Sequence, residues 1–224
     1  MAMPEVNFSS VRAFLFDLDG TLIDSKLDLV NSVNFMLREM QREVLPLSTV
    51  ASYIGHGAPR LVADALGPDA GEADRKRGLE IFLAHYGGHS LDATHAYSGV
   101  VEGLEALRDR PMAVLTNKPA KMGVDILEAL GLRKYFRAVY GGDSFEKKKP
   151  DPAGALAILK DLGAQAHEAA MVGDSGVDIQ TARNAGMFAI AVNYGFGQHD
   201  RQAQPADLYI DSLEEIAAFA LRLR

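Results

Sequence analysis

Residues 12–25 read RAFLFDLDGTLIDS. Four apolar residues, 13 to 16, make a short run of the kind that suits a strand buried on both faces. The run ends at once in Asp17, Leu18, Asp19, Gly20 and Thr21, and two carboxylates two positions apart are a poor way to finish a core strand. In an open parallel sheet, however, the crevice beyond the carboxyl ends of the strands is where a ligand binds. The segment therefore predicts the first strand of such a sheet. It delivers Asp17 and Asp19 to one crevice, because residues two apart on extended chain project the same way.

The rest of the chain can be read outward from that strand. Short β-rich runs at 112–115, 138–140, 169–172 and 189–192, with an edge strand at 208–210, alternate with helical patterns at 101–109, 121–130, 152–162, 176–185 and 213–221. Alternation of this kind marks parallel strands linked by crossover helices. It fails between residues 23 and 95, where LDLVNSVNFMLREM, APRLVADAL and ADRKRGLEIFLAHY read as successive helices. The expected fold class is α/β, a doubly wound, mostly parallel, Rossmann-like sheet built from residues 1–22 and 96–224. An all-α unit of residues 23–95 is inserted after the first strand, with joins near 22–25 and 92–99.

Composition narrows the function classes. With 30 acidic against 23 basic residues and a net charge of −7, an extended nucleic-acid surface is not expected. The chain has no cysteine, hence no disulfide framework and no thiolate chemistry. The opening MAMPEVNFSSVR lacks a basic region followed by a long apolar stretch, and no segment approaches the ~20 apolar residues that span a bilayer. The expectation is a cytoplasmic protein, monomer or homodimer, with no nucleic-acid or membrane partner.

Four polar groups fall at predicted strand ends: Asp17 and Asp19; Thr116, Asn117 and Lys118; Lys149 before Pro150; and GDSGVD with Asp174 and Asp178. Crowded carboxylates repel, and a divalent cation between Asp17 and Asp174 relieves that repulsion, since Mg²⁺ prefers hard oxygen ligands. Asp17 can then attack phosphorus to give an aspartyl phosphate, while a protonated Asp19 gives its proton to the departing alkoxide and takes one from the attacking water. Lys149 supplies fixed positive charge, and Thr116 with nearby N–H groups binds phosphate oxygens.

DLDGT, TNK, the lysine before Pro150 and GDSGVD, in this order, resemble the four motifs of the haloacid dehalogenase superfamily of aspartate-nucleophile phosphatases. The inserted helices resemble that family's helical cap, and DLDGTLIDSKLDLVNSVN, YIGHGAPRLV and VLTNKPAKM are similar to its phosphoglycolate phosphatase branch. The resemblance implies Mg²⁺-dependent hydrolysis of a small phosphomonoester, with 2-phosphoglycolate the first candidate. It implies Asp17 as nucleophile, Asp19 as acid/base, and metal held by Asp17, Asp174 and the backbone oxygen of Asp19, with Asp178 as support or further ligand. Gly20, Thr116, Asn117 and Lys118 become candidates to contact the phosphate or substrate. In this chain AYSGV stands where many relatives carry a proline in the second join, and three consecutive lysines, 147 to 149, leave only adjacency to Pro150 to mark the motif.

Blander readings accompany several of these residues. Asp-Gly after a strand is a common turn, Ser175 suits a helix cap, and Ser25 followed by Asp28 fits a capping box. In YIGHGAPR a helix begins at Pro59, and Arg60 in its first turn opposes the helix dipole. An anion nearby would explain that placement, so His56 and Arg60 are candidate ligands for a substrate's distal carboxylate. The alternative is that Arg60 meets solvent or a neighbouring carboxylate. A phosphosugar mutase of the same superfamily would use the same aspartate pair. A hydrolytic dehalogenase would need neither Mg²⁺ nor Asp19. A phospho-accepting receiver domain shares the acceptor Asp, Thr and Lys but lacks the inserted helices.

Overall fold

The structure, a computed structural model, describes residues 10–197 and 200–216. The opening MAMPEVNFS and the distal part of the helix expected over 213–221 lie outside these residues; residues 214–216 are helical.

Six strands form the main sheet: β1 (Ala13–Phe16), β4 (Met112–Leu115), β5 (Ala138–Tyr140), β6 (Ala169–Gly173), β7 (Phe188–Val192) and β8 (Leu208–Ile210), in the order β5-β4-β1-β6-β7-β8. Every pairing is parallel, and Phe16 sits in register with Val114 on one side and Val172 on the other. Crossovers run through α5 (Val100–Ala106), α6 (Ala120–Ala129), α7 (Ala153–Leu162) and α8 (Gly176–Ala185). Because side chains alternate along a strand, Phe14 and Phe16 face one layer with Leu104, Ile126 and Leu127, while Ala13 and Leu15 face the other with Ile158, Ile179 and Ala182. All four residues of β1 are buried, which accounts for an uninterrupted apolar run instead of an alternating one.

Between β1 and α5 the chain forms α1 (Lys26–Glu39), α2 (Leu47–Ala51), α3 (Ala58–Leu66) and α4 (Glu72–His89). These helices close a core of their own, in which Val33, Met36 and Leu37 meet Leu61, Val62, Phe82 and Tyr86. A side chain at Gly78 would press on Leu66, Met36 and Val62 at 3.0–3.1 Å, so α4 owes its close packing there to the missing Cβ. Helix α2 has five residues, too few to show a helical period in sequence. The two joins pair as a two-stranded antiparallel ribbon, β2 (Ile23–Asp24) with β3 (His95–Ala96). Strands of two residues carry no alternation to read, and the sequence reading assigned none. Among the described residues, no helix is long and apolar enough to cross a membrane.

Candidate active site

Strand order decides where the chemistry gathers. β1 lies between β4 and β6, so the loops that follow these three strands open side by side, with Lys149 arriving from the loop after β5.

Asp17 is 6% exposed, and its Oδ1 accepts the Leu18 N–H at 2.7 Å and faces the Lys149 ammonium at 2.9 Å. The same ammonium donates to Asp178 Oδ1 at 2.6 Å. Asp178 Oδ2 accepts the Ser175 N–H at 3.1 Å and hydroxyl at 2.6 Å. Ser175 is also the residue that begins α8, so capping and support of the site are one arrangement. Asp174 Oδ2 accepts the N–H groups of Phe196 at 3.0 Å and Gly197 at 2.6 Å. Carboxylate oxygens of Asp17, Asp174 and Asp178 all lie within 4.8 Å of one another.

Three buried carboxylates thus cluster where one ammonium pairs with two of them, Asp17 and Asp178. Burial, and after it the Asp178 charge, pushes the Asp17 carboxyl up to about 7 and the Asp174 carboxyl up to about 8. For Lys149, burial pulls downward, yet Asp17 and Asp178 together leave it raised. The donor set fits a hard divalent cation: only oxygens, clustered, buried and short of positive charge. No protein donor to Asp17 Oδ2 or Asp174 Oδ1 is found among the described residues. Gly20 makes the cluster possible, because at φ +88° a Cβ there would stand 2.0 Å from Asp174 Oδ2.

Asp19 faces a different set. Its Oδ1 accepts the Ser25 hydroxyl at 2.5 Å and the Lys118 ammonium at 2.7 Å. Lys118 is buried; it also donates to the Tyr86 hydroxyl at 2.8 Å and lies 4.7 Å from that ring's centroid. Burial works against its charge, but Asp19 and Tyr86 hold the ammonium above its ordinary value. Burial raises the Tyr86 hydroxyl to about 12, so the phenol keeps its proton. Thr116 Oγ1 accepts the Lys118 N–H at 3.2 Å, and the Asn117 amide donates to the carbonyls of Gly55 at 2.9 Å and Lys149 at 3.2 Å.

Asp17, Asp19, Thr116, Asn117 and Lys118 border one cavity of about 50 Å³, whose opposite wall comes from the inserted helices. Of the three consecutive lysines, Lys149 is buried while Lys147 and Lys148 are exposed. His56 and Arg60 of the inserted segment stand apart from this cavity. Arg60 is exposed and pairs with Asp64 one turn on, at 2.8 Å, which answers the puzzle of its place in the first turn of α3. His56 is exposed and borders a separate cavity of about 310 Å³ beside Pro150 and Ser175. Sequence reasoning missed Tyr86, hidden in an ordinary apolar helix pattern, and took Ser25 with Asp28 for a capping box. Ser25 makes no cap hydrogen bond; its hydroxyl serves Asp19, and the Asp28 carboxylate serves Ala93 and Thr94.

Three comparisons bear on this arrangement. The sequence model of the haloacid dehalogenase-like hydrolase family matches residues 14–192. A phosphoglycolate phosphatase of Chromobacterium violaceum is 39% identical over 217 residues, covering 94% of this chain and 97% of its own. One from Nitrosospira multiformis is 39% identical over 212 residues, covering 92% and 93%. The crystal structure of a predicted phosphoglycolate phosphatase from Haemophilus somnus superposes with a TM-score of 0.86 at 30% identity, over 93% of this chain and 97% of that one.

Proposed function

The chain belongs to the haloacid dehalogenase-like hydrolase family, and on that premise we propose that it is a phosphomonoester hydrolase that cleaves 2-phosphoglycolate through an aspartyl phosphate on Asp17. The observation that carries the reading is the different surroundings of two carboxylates two residues apart. Asp17 is held by the Lys149 ammonium and the Leu18 N–H in the acidic cluster, whereas Asp19 is held outside that cluster by Ser25 and Lys118.

Asp17, Asp174 and the Asp19 backbone oxygen, with Asp178 behind them, would hold a Mg²⁺ ion, which would supply charge neutralisation for the carboxylates and the phosphate. The remaining work falls to the chain. Lys149 fixes the Asp17 carboxylate and offsets negative charge as its free oxygen attacks phosphorus. Thr116 and neighbouring N–H groups bind the phosphoryl oxygens. Asp19 donates a proton to the ester oxygen as the P–O bond breaks, then accepts one from the water that cleaves the acyl phosphate. Residues 23–95 act as a cap that keeps bulk water from the intermediate and selects the leaving group. The dehalogenase and receiver alternatives have no use for Asp19 in this role.

The test is phosphate release from 2-phosphoglycolate in Mg²⁺, together with acid quenching during turnover. The expected result is a hydroxylamine-sensitive phosphoryl group that mass spectrometry maps to Asp17. Absence of turnover, or a phosphoryl group elsewhere on the chain, overturns the reading.

A further inference from the structure

The contact between Lys118 and Tyr86 leaves donors without acceptors. An ammonium can only donate, so the Tyr86 oxygen must accept from Lys118 and its own proton must go elsewhere. Among the described residues no acceptor for that proton is found. Of the three N–H groups of Lys118, one goes to Asp19 and one to Tyr86. Two donors, one of them on a cation, are therefore unmatched, on residues 1% and 6% exposed. Both residues border the cavity, and buried donors are ordinarily paired.

The rest of the wall sharpens the demand. Leu29, Ile54, Leu61, Phe82, Leu83 and Met122 are apolar, and Lys118 is the only cation among the described residues that line the space. Lys118 is tied to Asp19, while Lys149 is tied to Asp17. On the hydrolase reading, Asp19 stands at the ester oxygen, so the atoms beyond that oxygen come next to Lys118. A cavity of about 50 Å³ holds only about three to five water-sized groups. So narrow a space favours a short leaving group over a sugar ring or a nucleoside.

We propose that Lys118 and Tyr86 together bind a carboxylate on the leaving group, one carbon away from the ester oxygen, and so set the substrate class as short carboxyalkyl phosphates. The ammonium gives a charged hydrogen bond to one carboxylate oxygen and the phenol a neutral one to the other. The pair joins the loop after β4 to α4 of the inserted helices, so binding of that carboxylate also holds cap and core together. The proposal rests on the hydrolase reading for which end of the ligand lies here, and adds to it the residues that read the leaving group.

Binding of non-hydrolysable ligands separates the two ideas. Isothermal titration in Mg²⁺ compares 3-phosphonopropionate, which carries the carboxylate, with propylphosphonate, which does not. The wild-type chain is expected to prefer the first by about tenfold or more, the worth of one charged hydrogen bond. Tyr86→Phe keeps the ring stacked on Phe82 at 5.5 Å and Lys118→Met keeps the stem; each is expected to cut the preference to about threefold or less. Equal binding of both ligands by the wild type, no binding of 3-phosphonopropionate, or a preference unchanged in both variants overturns the inference. A preference of the expected size with no turnover of 2-phosphoglycolate instead removes the hydrolase reading and leaves the anion pair standing.

Discussion

The side-chain amide of Asn117 donates to the carbonyl of Gly55 at 2.9 Å and to that of Lys149 at 3.2 Å, so one residue ties the loop after β4 to the inserted helices and to the lysine beside Asp17. The same two loops touch again at Gly57, where φ is +85° and a Cβ would come 2.8 Å from the Asn117 carbonyl.

Asn117→Ala breaks both ties without disturbing the sheet. Loss of two hydrogen bonds worth about 1 kcal/mol each is expected to loosen closure, raising KM by about tenfold with a smaller change in kcat. Steady-state kinetics on 2-phosphoglycolate checks this, and a KM within twofold of wild type shows that closure does not depend on Asn117.

Asp17→Asn is nearly isosteric, and an amide cannot attack phosphorus. Turnover is expected to fall by at least about a thousandfold. The same substitution removes a buried charge that the metal-free fold disfavours, so its melting temperature in EDTA near pH 8 should be no lower than wild type. Asp19→Asn should behave differently, with phosphoenzyme accumulating and the defect shrinking for good leaving groups such as p-nitrophenol. Residual hydrolysis by pure Asp17→Asn protein at a few per cent of wild type counts against the nucleophile assignment.

The raised carboxyls give the metal-free protein a definite pH dependence. Asp17 and Asp174 titrate at about 7 and about 8 in the fold, against 3.8 when unperturbed. Across that window the folded chain binds more protons than the unfolded one, so these groups make stability fall as pH rises. A Mg²⁺ ion bound at this cluster would compete with protons for the same oxygens. The gain in melting temperature from saturating Mg²⁺ is therefore expected to grow between about pH 5 and pH 8, and Asp174→Asn should flatten that growth. Calorimetry at matched ionic strength measures it; a Mg²⁺ gain that shrinks with pH contradicts the carboxylate site. EDTA should abolish turnover, and Ca²⁺, with its larger and looser shell, should not restore it.

Much of this was legible in sequence because both levels of signal agreed. The apolar runs of β1, β4, β5 and β8 coincide with the strands observed; β1 and β4 are buried on two faces and leave no polar interruption, while β5 and β8 lie at the sheet edges and are only partly buried. The polar groups at their ends are named by position, as strand order alone brings Asp17, Thr116 and Asp174 together. What sequence could not give was competition between partners. Sequence leaves Arg60 open between a substrate anion and a neighbouring carboxylate, and it is Asp64, one turn on, that pairs with it. Tyr86 falls on the buried face of α4 with Phe82 and Gly78, and nothing local distinguishes a packing tyrosine from one whose hydroxyl reaches Lys118, 32 residues away.

Asp28 is the sharpest case of that competition, and it leads to a prediction. Its spacing from Ser25 suggests a helix cap, but the carboxylate turns to the second join. It accepts the Ala93 N–H at 3.0 Å, the Thr94 N–H at 2.8 Å and the Thr94 hydroxyl at 2.7 Å. Asp28 is 2% exposed, so these contacts are its solvation. They pin α1 to residues 93–94, next to the β2–β3 ribbon through which both joins pass. Asp28→Asn swaps one acceptor oxygen for an NH₂ group facing N–H donors, and the loss of charged hydrogen bonds is expected to cost about 1.5–3 kcal/mol. Because the damage lies at the join, amide exchange should quicken first in residues 90–96 and in the N-terminal turn of α1, ahead of the main sheet. Uniform acceleration across β1, β4 and β6 would mean that Asp28 stabilises the whole fold and has no special hold on the join.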